Sequence, residues 1–353
     1  MAEVDAPTPD RHPTALISVV GATGYMGGQI VAGLLERGHA VRAIGRDPDR
    51  LDALAARHPG LARAVPTQWD AIALAAAMQG SDVVIACAGP FRVAGAAVVD
   101  GAIAAGAHYG DSAGEPAFIR GVFDRDAAAT EAGVALVPGC AFEFTLGDLG
   151  LAIASESFGP MARAMAVYAP GTPATSPAMR QSIVGLIADK EAKVGHRSRT
   201  VGTSAGRVTG LSIPSGEALM GPRHVDVGEF TTYHVLGVPQ VAVRVAGALL
   251  RTPGIGNRIA RRAVRGAAGP SATDRATVFA CHVQVEAVDG RRRAILLEGH
   301  DAWGFAAGSL VELATRLARG ETTAVGSRAP AEVVDPRDFL ATLGVRITEA
   351  AVE

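Results

Sequence analysis

A glycine-rich turn beginning at residue 21 has the composition needed to hold a phosphate group. It reads Gly-Ala-Thr-Gly-Tyr-Met-Gly over residues 21–27 and directly follows the apolar run Leu16–Val20. Glycines let a pyrophosphate approach the backbone without meeting a Cβ, while the start of a following helix offers unpaired N–H groups. After the turn, apolar residues recur at helical spacing as far as Leu35, and Gly38 and the run Ala40–Ile44 follow. Strand, glycine turn, helix and strand in this order predict a dinucleotide-binding unit.

The residue that follows the second predicted strand indicates which dinucleotide would bind. A site that prefers NAD places Asp or Glu there, to bond the ribose 2′-hydroxyl. This chain has Arg46 instead, whose planar guanidinium suits a 2′-phosphate and can stack on adenine. We therefore predict NADP(H) as the cofactor. Its predicted contacts are the glycine turn, Arg46, the loop after the predicted strand Ser81–Cys87, and one later serine: Gly21, Ala22, Thr23, Gly24, Tyr25, Met26, Arg46, Ala88, Gly89, Pro90, Phe91 and Ser112.

Acidic and phenolic groups at the ends of later predicted strands are candidates for proton exchange. A nicotinamide carries the hydride itself, so the protein must hold the acceptor and supply or remove a proton. The predicted catalytic residues are Glu143, Tyr109 and Asp111, with Glu115 and Asp148 as further candidates. Glu143 ranks first because we expect it in the loop leaving the last strand of the dinucleotide domain. Each has a structural alternative: core packing for Tyr109, helix capping for Asp111 and Asp148, and an exposed position for Glu115.

Other catalytic arrangements find little support in the sequence. The only lysines are Lys190 and Lys193, and no S-x-x-x-x-Y-x-x-x-K pattern occurs, which argues against a tyrosine–lysine proton relay. The cysteines are scattered and the histidines lack metal-ligand spacing, so we predict no metal site and a reducing compartment. Further candidates are an arginine that could clamp a carboxylate, Arg180, and four histidines that could donate a proton: His196, His224, His282 and His300.

The elements around these residues alternate between strand and helix as far as residue 140. Six predicted strands with helices between them indicate a doubly wound α/β domain, a Rossmann fold with a parallel sheet. The second half predicts a second α/β domain with a mixed sheet. We expect a disordered lead-in (1–13), an NADP-binding Rossmann domain (14–140), a substrate and dimerisation domain (141–300), and a C-terminal segment that packs back on the Rossmann domain (301–353).

Composition limits the class of protein. The chain has 353 residues, of which 48% are hydrophobic and 19% charged, which is typical of a globular protein with a substantial core. A net charge of −2 gives no electrostatic reason to expect nucleic acid as a partner. No run of about 18 apolar residues occurs, so we predict no transmembrane segment and a cytoplasmic location.

Four segments of the first half carry a family resemblance. GATGYMG, ACAGPF, AHYGDSAGEPAF and LVPGCAFEFTLGDLG, in this order, resemble the saccharopine dehydrogenase-like oxidoreductases, a group that includes saccharopine reductases and trans-acting enoyl reductases. Later segments (GTPATS, GPSATDRA and GHDAWGFAAGSLVELATRL) are also similar, so the resemblance covers most of the chain. It implies an NADPH-binding Rossmann domain, an α/β domain for the substrate, and hydride transfer to or from a C=N or C=C bond.

Several positions depart from the family pattern. Where relatives commonly read G-F-D-S-x-P-S-D, residues 141–148 read Ala-Phe-Glu-Phe-Thr-Leu-Gly-Asp. Glu143 keeps the acidic group on a side chain one methylene longer, and its small polar neighbours have become apolar. Trp303 and Ala306 stand where tyrosine and threonine are usual. Because these changes affect the segment expected to face the substrate, a non-catalytic NADP(H)-binding redox sensor or scaffold is the competing hypothesis.

A cluster of arginines in the second half suggests two alternatives for a partner. Val238–Arg265 is predicted to be mainly helical, and its later part carries Arg251, Arg258, Arg261, Arg262 and Arg265. This cluster is either a solvated helix face or a docking surface for an acidic carrier protein or a phosphate-bearing acyl group. The expected partners are therefore a small-molecule or carrier-bound acyl substrate, and a second copy of the chain if the strand-rich second domain pairs across a dimer axis.

Overall fold

Two seven-stranded sheets form the frame of the protein. The computed structural model describes residues 15–171, 194–236 and 271–352, together with isolated positions between 172 and 270. Strands and helices are numbered in chain order. The first sheet is parallel throughout, in the order β13-β6-β5-β4-β1-β2-β3. Its members are β1 (Leu16–Val20), β2 (Ala40–Ile44), β3 (Ala62–Ala64), β4 (Val83–Ala86), β5 (His108–Asp111), β6 (Ala135–Val137) and β13 (Gly326–Ser327).

Alternate residues of the first sheet enter two different cores, as expected for a parallel sheet covered on both faces. Ile17 and Val19 of β1 pack in one buried cluster with Ile30, whereas Val20 packs in the other with Leu74. The helices of this half are α1 (Tyr25–Glu36), α2 (Pro48–Arg57), α3 (Ala71–Met78), α4 (Phe91–Ala104), α5 (Pro116–Phe123) and α6 (Asp126–Glu131). The predicted doubly wound α/β fold is confirmed, and strand order β3-β2-β1-β4-β5-β6 is that of a Rossmann fold.

The second sheet is mixed, in the order β14-β12-β11-β7-β10-β9-β8. β10 runs parallel to β7, and the other neighbouring strands are antiparallel. Its members are β7 (Met161–Ala169), β8 (Ser198–Thr203), β9 (Gly206–Ser212), β10 (Val227–His234), β11 (Val278–Ala287), β12 (Arg292–His300) and β14 (Arg346–Glu349). The remaining α-helices of the described residues are α7 (Phe142–Ser155), α8 (Glu217–Met220), α9 (Ala272–Arg275), α10 (Ala302–Ala318) and α11 (Pro336–Thr342).

Helices α7 and α10 connect the two halves. Leu146 of α7, Val283 of β11 and Leu310 of α10 belong to the same buried cluster as Val19 of β1. Residues after 300 contact both sheets, because α10 packs on α1, β13 joins β6, and β14 joins β12. The carboxyl ends of the parallel strands therefore lie beside α7 and the second sheet.

Two predicted elements differ from the structure. The sequence predicts a single helix over Pro116–Gly133, but α5 ends at Phe123 and α6 begins at Asp126. At the break, the Arg125 guanidinium is held by both carboxylate oxygens of Asp100, at 2.6 and 3.0 Å. The expected loop at residues 141–148 is the first half of α7; almost all its residues are buried, so it shows no exposed face by which a helix could be recognised.

Candidate functional site

The glycine turn is shaped so that side chains could not replace its glycines. Gly21 has a φ of +87°, and a Cβ at that position would lie 2.9 Å from the backbone nitrogen of Ala88. A Cβ on Gly27 would overlap the carbonyl oxygen of Gly21. Gly24 precedes the first turn of α1, which has no side-chain cap. The turn therefore presents bare backbone and uncapped N–H groups, and these suit a pyrophosphate.

Arg46 lies at the end of β2 beside two residues that the sequence analysis did not select. It is exposed, and its guanidinium carbon is 5.6 Å from the centroid of the Trp69 ring. Arg50 donates from Nη2 to the carbonyl oxygen of Thr23 at 2.7 Å, which brings a second cation to the turn. Asp47 accepts a hydrogen bond from the Arg50 backbone at 3.1 Å and caps α2. Arg50 could have been identified from the sequence by its spacing from Arg46. No local sequence pattern indicated that Trp69 would lie beside them.

The loop after β4 meets the glycine turn. The Cys87 backbone donates to the carbonyl oxygen of Val20 at 2.9 Å, and Ala88 packs against Gly21. Gly89 and Pro90 follow, joined by a cis peptide bond. Phe91 begins α4, and its ring is buried against Phe118, with centroids 5.2 Å apart. The backbone of Ala88–Pro90 is thus at the predicted edge, but the Phe91 side chain belongs to the core.

Ser112 and Asp111 continue the same edge at the end of β5. The Ser112 backbone donates to the carbonyl oxygen of Ala86 at 3.2 Å. Asp111 is fully buried, and its Oδ1 accepts from the backbone of Ala113 at 2.8 Å and of Gly139 at 2.9 Å. Burial raises the pKa of Asp111 to about 6, although both N–H donors act in the opposite direction. Its contacts tie the loop after β5 to the loop after β6.

Tyr109 lies inside the sheet rather than at its edge. It has no exposed surface and packs in the second buried cluster with Val84 and Leu136. Burial, followed by the charge of Asp111, raises the pKa of Tyr109 well above its usual value. The carboxyl of Asp111 is the polar neighbour of its hydroxyl. This placement matches the core alternative stated for Tyr109.

Glu143 lies in the first turn of α7, directly beyond the end of β6. It is half-buried, and burial raises the pKa of its carboxyl, opposed by its own backbone N–H. No side chain in the described part of the chain hydrogen bonds this carboxyl. Its neighbours Phe142 and Phe144 are buried. Glu143 is therefore a carboxyl with an elevated pKa, held at the carboxyl edge of the parallel sheet by a buried helix.

Asp148, on the same helix, makes a different set of contacts. Its Oδ1 is 2.6 Å from Nε2 of His224, and its Oδ2 accepts from the backbone of Ala331 at 2.8 Å. Burial lowers the pKa of His224, but the hydrogen bond and charge of Asp148 outweigh it, so the net pKa is raised. Asp148 thus joins α7 both to the segment around His224 and to the segment before α11. Glu115 accepts a hydrogen bond from the backbone of Arg92 at 2.8 Å and precedes α5.

The remaining candidates do not converge on this edge. His196 and His300 are exposed, and His282 contacts the carbonyl oxygen of Ala351 at 3.2 Å. Arg180 and the predicted basic cluster at residues 251–265 lie outside the described residues. Within the described ranges, no three His, Cys, Asp or Glu residues are grouped as metal ligands. None of the helices in the described part of the chain has the length and apolar character needed to cross a bilayer.

The second sheet carries a buried polar cluster that the sequence analysis does not identify. Tyr168 of β7 and Ser215 both hydrogen bond the carboxyl of Glu217, which is fully buried. Burial raises the pKa of Glu217 to about 7. Ser215 and Glu217 are two residues apart, but Tyr168 lies 49 residues before Glu217 in the sequence. Only the packing of β7 and α8 against α7 brings them together.

Comparison with known proteins agrees with this geometry. The NAD(P)H-binding family model NAD_binding_10 matches residues 21–109, from the glycine turn into β5. The fold is similar to that of apo saccharopine dehydrogenase (L-Glu forming) from Saccharomyces cerevisiae, with a TM-score of 0.57, 11% identity, and coverage of 96% of this chain and 100% of that one. Amine dehydrogenase from Mycobacterium smegmatis gives a TM-score of 0.48 and 12% identity over 97% of this chain and 98% of that one. No curated protein sequence matches the chain.

The chain thus carries an NAD(P)H-binding Rossmann domain and a second, mixed sheet, in a fold similar to that of the yeast protein.

Proposed function

We propose that the protein is an NADPH-dependent reductase that acts on a C=N bond or a conjugated C=C bond of a small or carrier-bound substrate. The observation that carries this proposal is the position of Glu143. It is a half-buried carboxyl with an elevated pKa, free of side-chain partners among the described residues, beyond the end of β6. Ligands of open α/β sheets bind beyond the carboxyl ends of the strands, where this carboxyl would face the nicotinamide half of the cofactor.

The residues at the edge of the parallel sheet fit a dinucleotide. The turn from Gly21 to Met26 would hold the pyrophosphate, because its backbone is bare and α1 begins there without a side-chain cap. Ala88–Pro90 and Ser112 would border the nicotinamide half. When bound, the cofactor supplies the hydride.

The preference for NADPH is supported by charge. Arg46 and Arg50 place two guanidinium groups near the end of β2, where a 2′-phosphate would lie. Asp47, the neighbouring carboxylate, is engaged as the cap of α2. Trp69 offers an aromatic face beneath Arg46, against which an adenine could be stacked.

The chemistry assigned to Glu143 is proton donation. Reduction of C=N or C=C leaves an electron pair on the substrate nitrogen or carbon, and a carboxyl of raised pKa can protonate it near neutral pH. Asp111 and Tyr109 would act indirectly, since both are buried and Asp111 holds the two neighbouring loops.

The experiment is NADPH oxidation, followed by absorbance, against cyclic imines, amine–aldehyde pairs, and free and carrier-bound enoyl thioesters. We expect turnover with one of these classes, and a large loss of turnover with unchanged NADPH affinity in Glu143→Gln. Glu131→Gln, which changes an exposed glutamate on α6, is the matched control. Tight NADPH binding without turnover of any substrate would refute the proposal and favour a redox sensor.

A further inference from the structure

Glu217 begins a chain of buried hydrogen bonds that the proposed function does not use. The hydroxyls of Tyr168 and Ser215 bond its Oε1 and Oε2, respectively. The Ser215 hydroxyl oxygen lies 2.7 Å from that of Thr232. Thr232 in turn donates to the carbonyl oxygen of Ile213 at 2.5 Å. All four of these side chains are at least nine-tenths buried, so water does not replace a missing partner.

Counting hydrogens along this chain indicates the protonation state of Glu217. A hydroxyl has one hydrogen, and a carbonyl oxygen can only accept. Since Thr232 uses its hydrogen on the carbonyl oxygen of Ile213, its contact with Ser215 needs the Ser215 hydrogen. Ser215 then has none left for Glu217, so their bond requires a hydrogen on the carboxyl. The complete chain is satisfied by a neutral carboxylic acid, and a pKa raised by burial to about 7 agrees with it.

The same carboxyl lies against the face of helix α7 that carries Glu143. Gly147 of α7 has no side chain, and a Cβ there would overlap the Tyr168 hydroxyl and lie 3.1 Å from Oε1 of Glu217. Glu143 precedes Gly147 by four residues, so both point from the same face of the helix. The charge of Glu143 accordingly raises the pKa of Glu217.

We propose that Glu217 is a positioning residue for Glu143: a buried carboxylic acid coupled by charge to the group that exchanges a proton with the substrate. This inference rests on the proposed reduction. As the double bond is reduced, its π electron pair remains on the substrate nitrogen or carbon and takes the proton of Glu143, which becomes a carboxylate. A neutral Glu217 leaves that carboxylate without a second negative charge beside it. Glu143 is partly exposed, so it can take its next proton from water.

Among the described residues, the other titratable groups around the pair stay neutral while the two carboxyls titrate. Tyr168 on β7 and Cys281 on β11 have pKa values raised well above their usual ranges, chiefly by burial. His234 on β10 stacks on Tyr168 with ring centroids 5.0 Å apart, and burial lowers its pKa to about 4. Titration between acidic and neutral pH therefore reports Glu143 and Glu217 among these groups.

The first test needs neither cofactor nor substrate. In the full chain labelled with ¹³C at the glutamate side-chain carboxyls, NMR should show one carboxyl that titrates near neutral pH and is missing from Glu217→Gln. Glu143→Gln should lower the pKa of that carboxyl, because a like charge is removed, whereas Glu131→Gln should leave it unchanged. A Glu217 that titrates in the ordinary acidic range, or that ignores Glu143→Gln, would overturn the inference.

The second test uses turnover of the imine or enoyl substrate. Glutamine can accept from Tyr168 and donate to Ser215, so Glu217→Gln keeps the chain of hydrogen bonds. Once Glu217 ionises in the wild type, its charge keeps a proton on Glu143. Glutamine never carries that charge, so we expect the alkaline limb of the kcat profile of Glu217→Gln to lie at lower pH. NADPH affinity should stay within about twofold, since the cofactor cradle is untouched. A profile that superimposes on that of the wild type would overturn the positioning role.

Tyr168→Phe provides a second variant with an intact ring. It removes a donor to Glu217, so the carboxyl should titrate at higher pH than in the wild type. An unchanged or lower pKa would count against the inference. If NADPH binds but no substrate is reduced, the proposed function fails and the role toward substrate fails with it. The carboxyl titration still decides separately whether the two glutamates are coupled.

Discussion

Replacing Arg46 by aspartate should change which dinucleotide the protein binds. Arg46 is exposed and held over Trp69 at 5.6 Å, beside the α2 helix whose Arg50 reaches the glycine turn. A charge-assisted hydrogen bond to a 2′-phosphate is worth about 1.5–3 kcal/mol, which corresponds to a loss of roughly 10- to 150-fold in NADPH affinity. NADH has no 2′-phosphate, so it should lose only the stacking contribution of about 0.5–1 kcal/mol, or up to roughly fivefold.

The assay is the quenching of protein fluorescence by each reduced dinucleotide, which gives two dissociation constants for each variant. Arg57→Asp is the matched control. Arg57 is an exposed arginine on α2, and its side chain donates to the carbonyl oxygen of Ala53 in the same helix at 3.3 Å. The discrimination should shrink as salt is added, since exposed charges are screened. Equal losses for NADPH and NADH, or an equal effect of Arg57→Asp, would show that the 2′-phosphate does not bind at Arg46.

Three further predictions concern the turn and the buried titratable groups. Gly27→Ala should weaken both dinucleotides more than tenfold and cost about 1–3 kcal/mol of stability, because its Cβ would overlap the Gly21 carbonyl; dinucleotide titration and urea unfolding measure the two effects. The pKa of Asp111 is raised from 3.8 to about 6, so this group should lower the free energy of unfolding by about 3 kcal/mol as pH rises through that window; urea unfolding of Asp111→Asn should show a flatter profile, and an unchanged slope would contradict the assignment. His224 has a raised pKa, so its contribution should be complete below pH 6.5 and disappear as pH rises through the folded value; a wild type and His224→Gln with parallel pH profiles would contradict this.

Local pattern was sufficient for much of the first half. β1 and β2 have the predicted bounds, and the glycine turn occupies the predicted position between β1 and α1. These elements were predictable because each has a pattern within its own residues: an apolar run, a glycine turn, or apolar residues at helical spacing. The cofactor edge followed from them, since the carboxyl ends of parallel strands meet at one side of a sheet.

Features that depend on distant residues were not predictable in this way. β13 has two residues, Gly326 and Ser327, and exists because it pairs with β6. The helix that carries Glu143 is buried on nearly all sides, so its sequence lacks the alternation of apolar and polar residues that marks a surface helix. The cluster at Glu217 draws Tyr168 from β7 and Thr232 from β10, and no spacing in the chain anticipates that meeting.

The positions of β13 and β14 affect which sheet edges are unpaired while the protein is being synthesised. β13 covers the open side of β6, and β14 covers the open side of β12, so one short stretch of chain closes an edge of both sheets. Until residues 326–349 have been made, β6 and β12 present unpaired backbone groups, which are templates for pairing with other chains. The nascent protein therefore carries both unpaired edges until this stretch has been made, and removal of the stretch would leave β6 and β12 open to pairing at once.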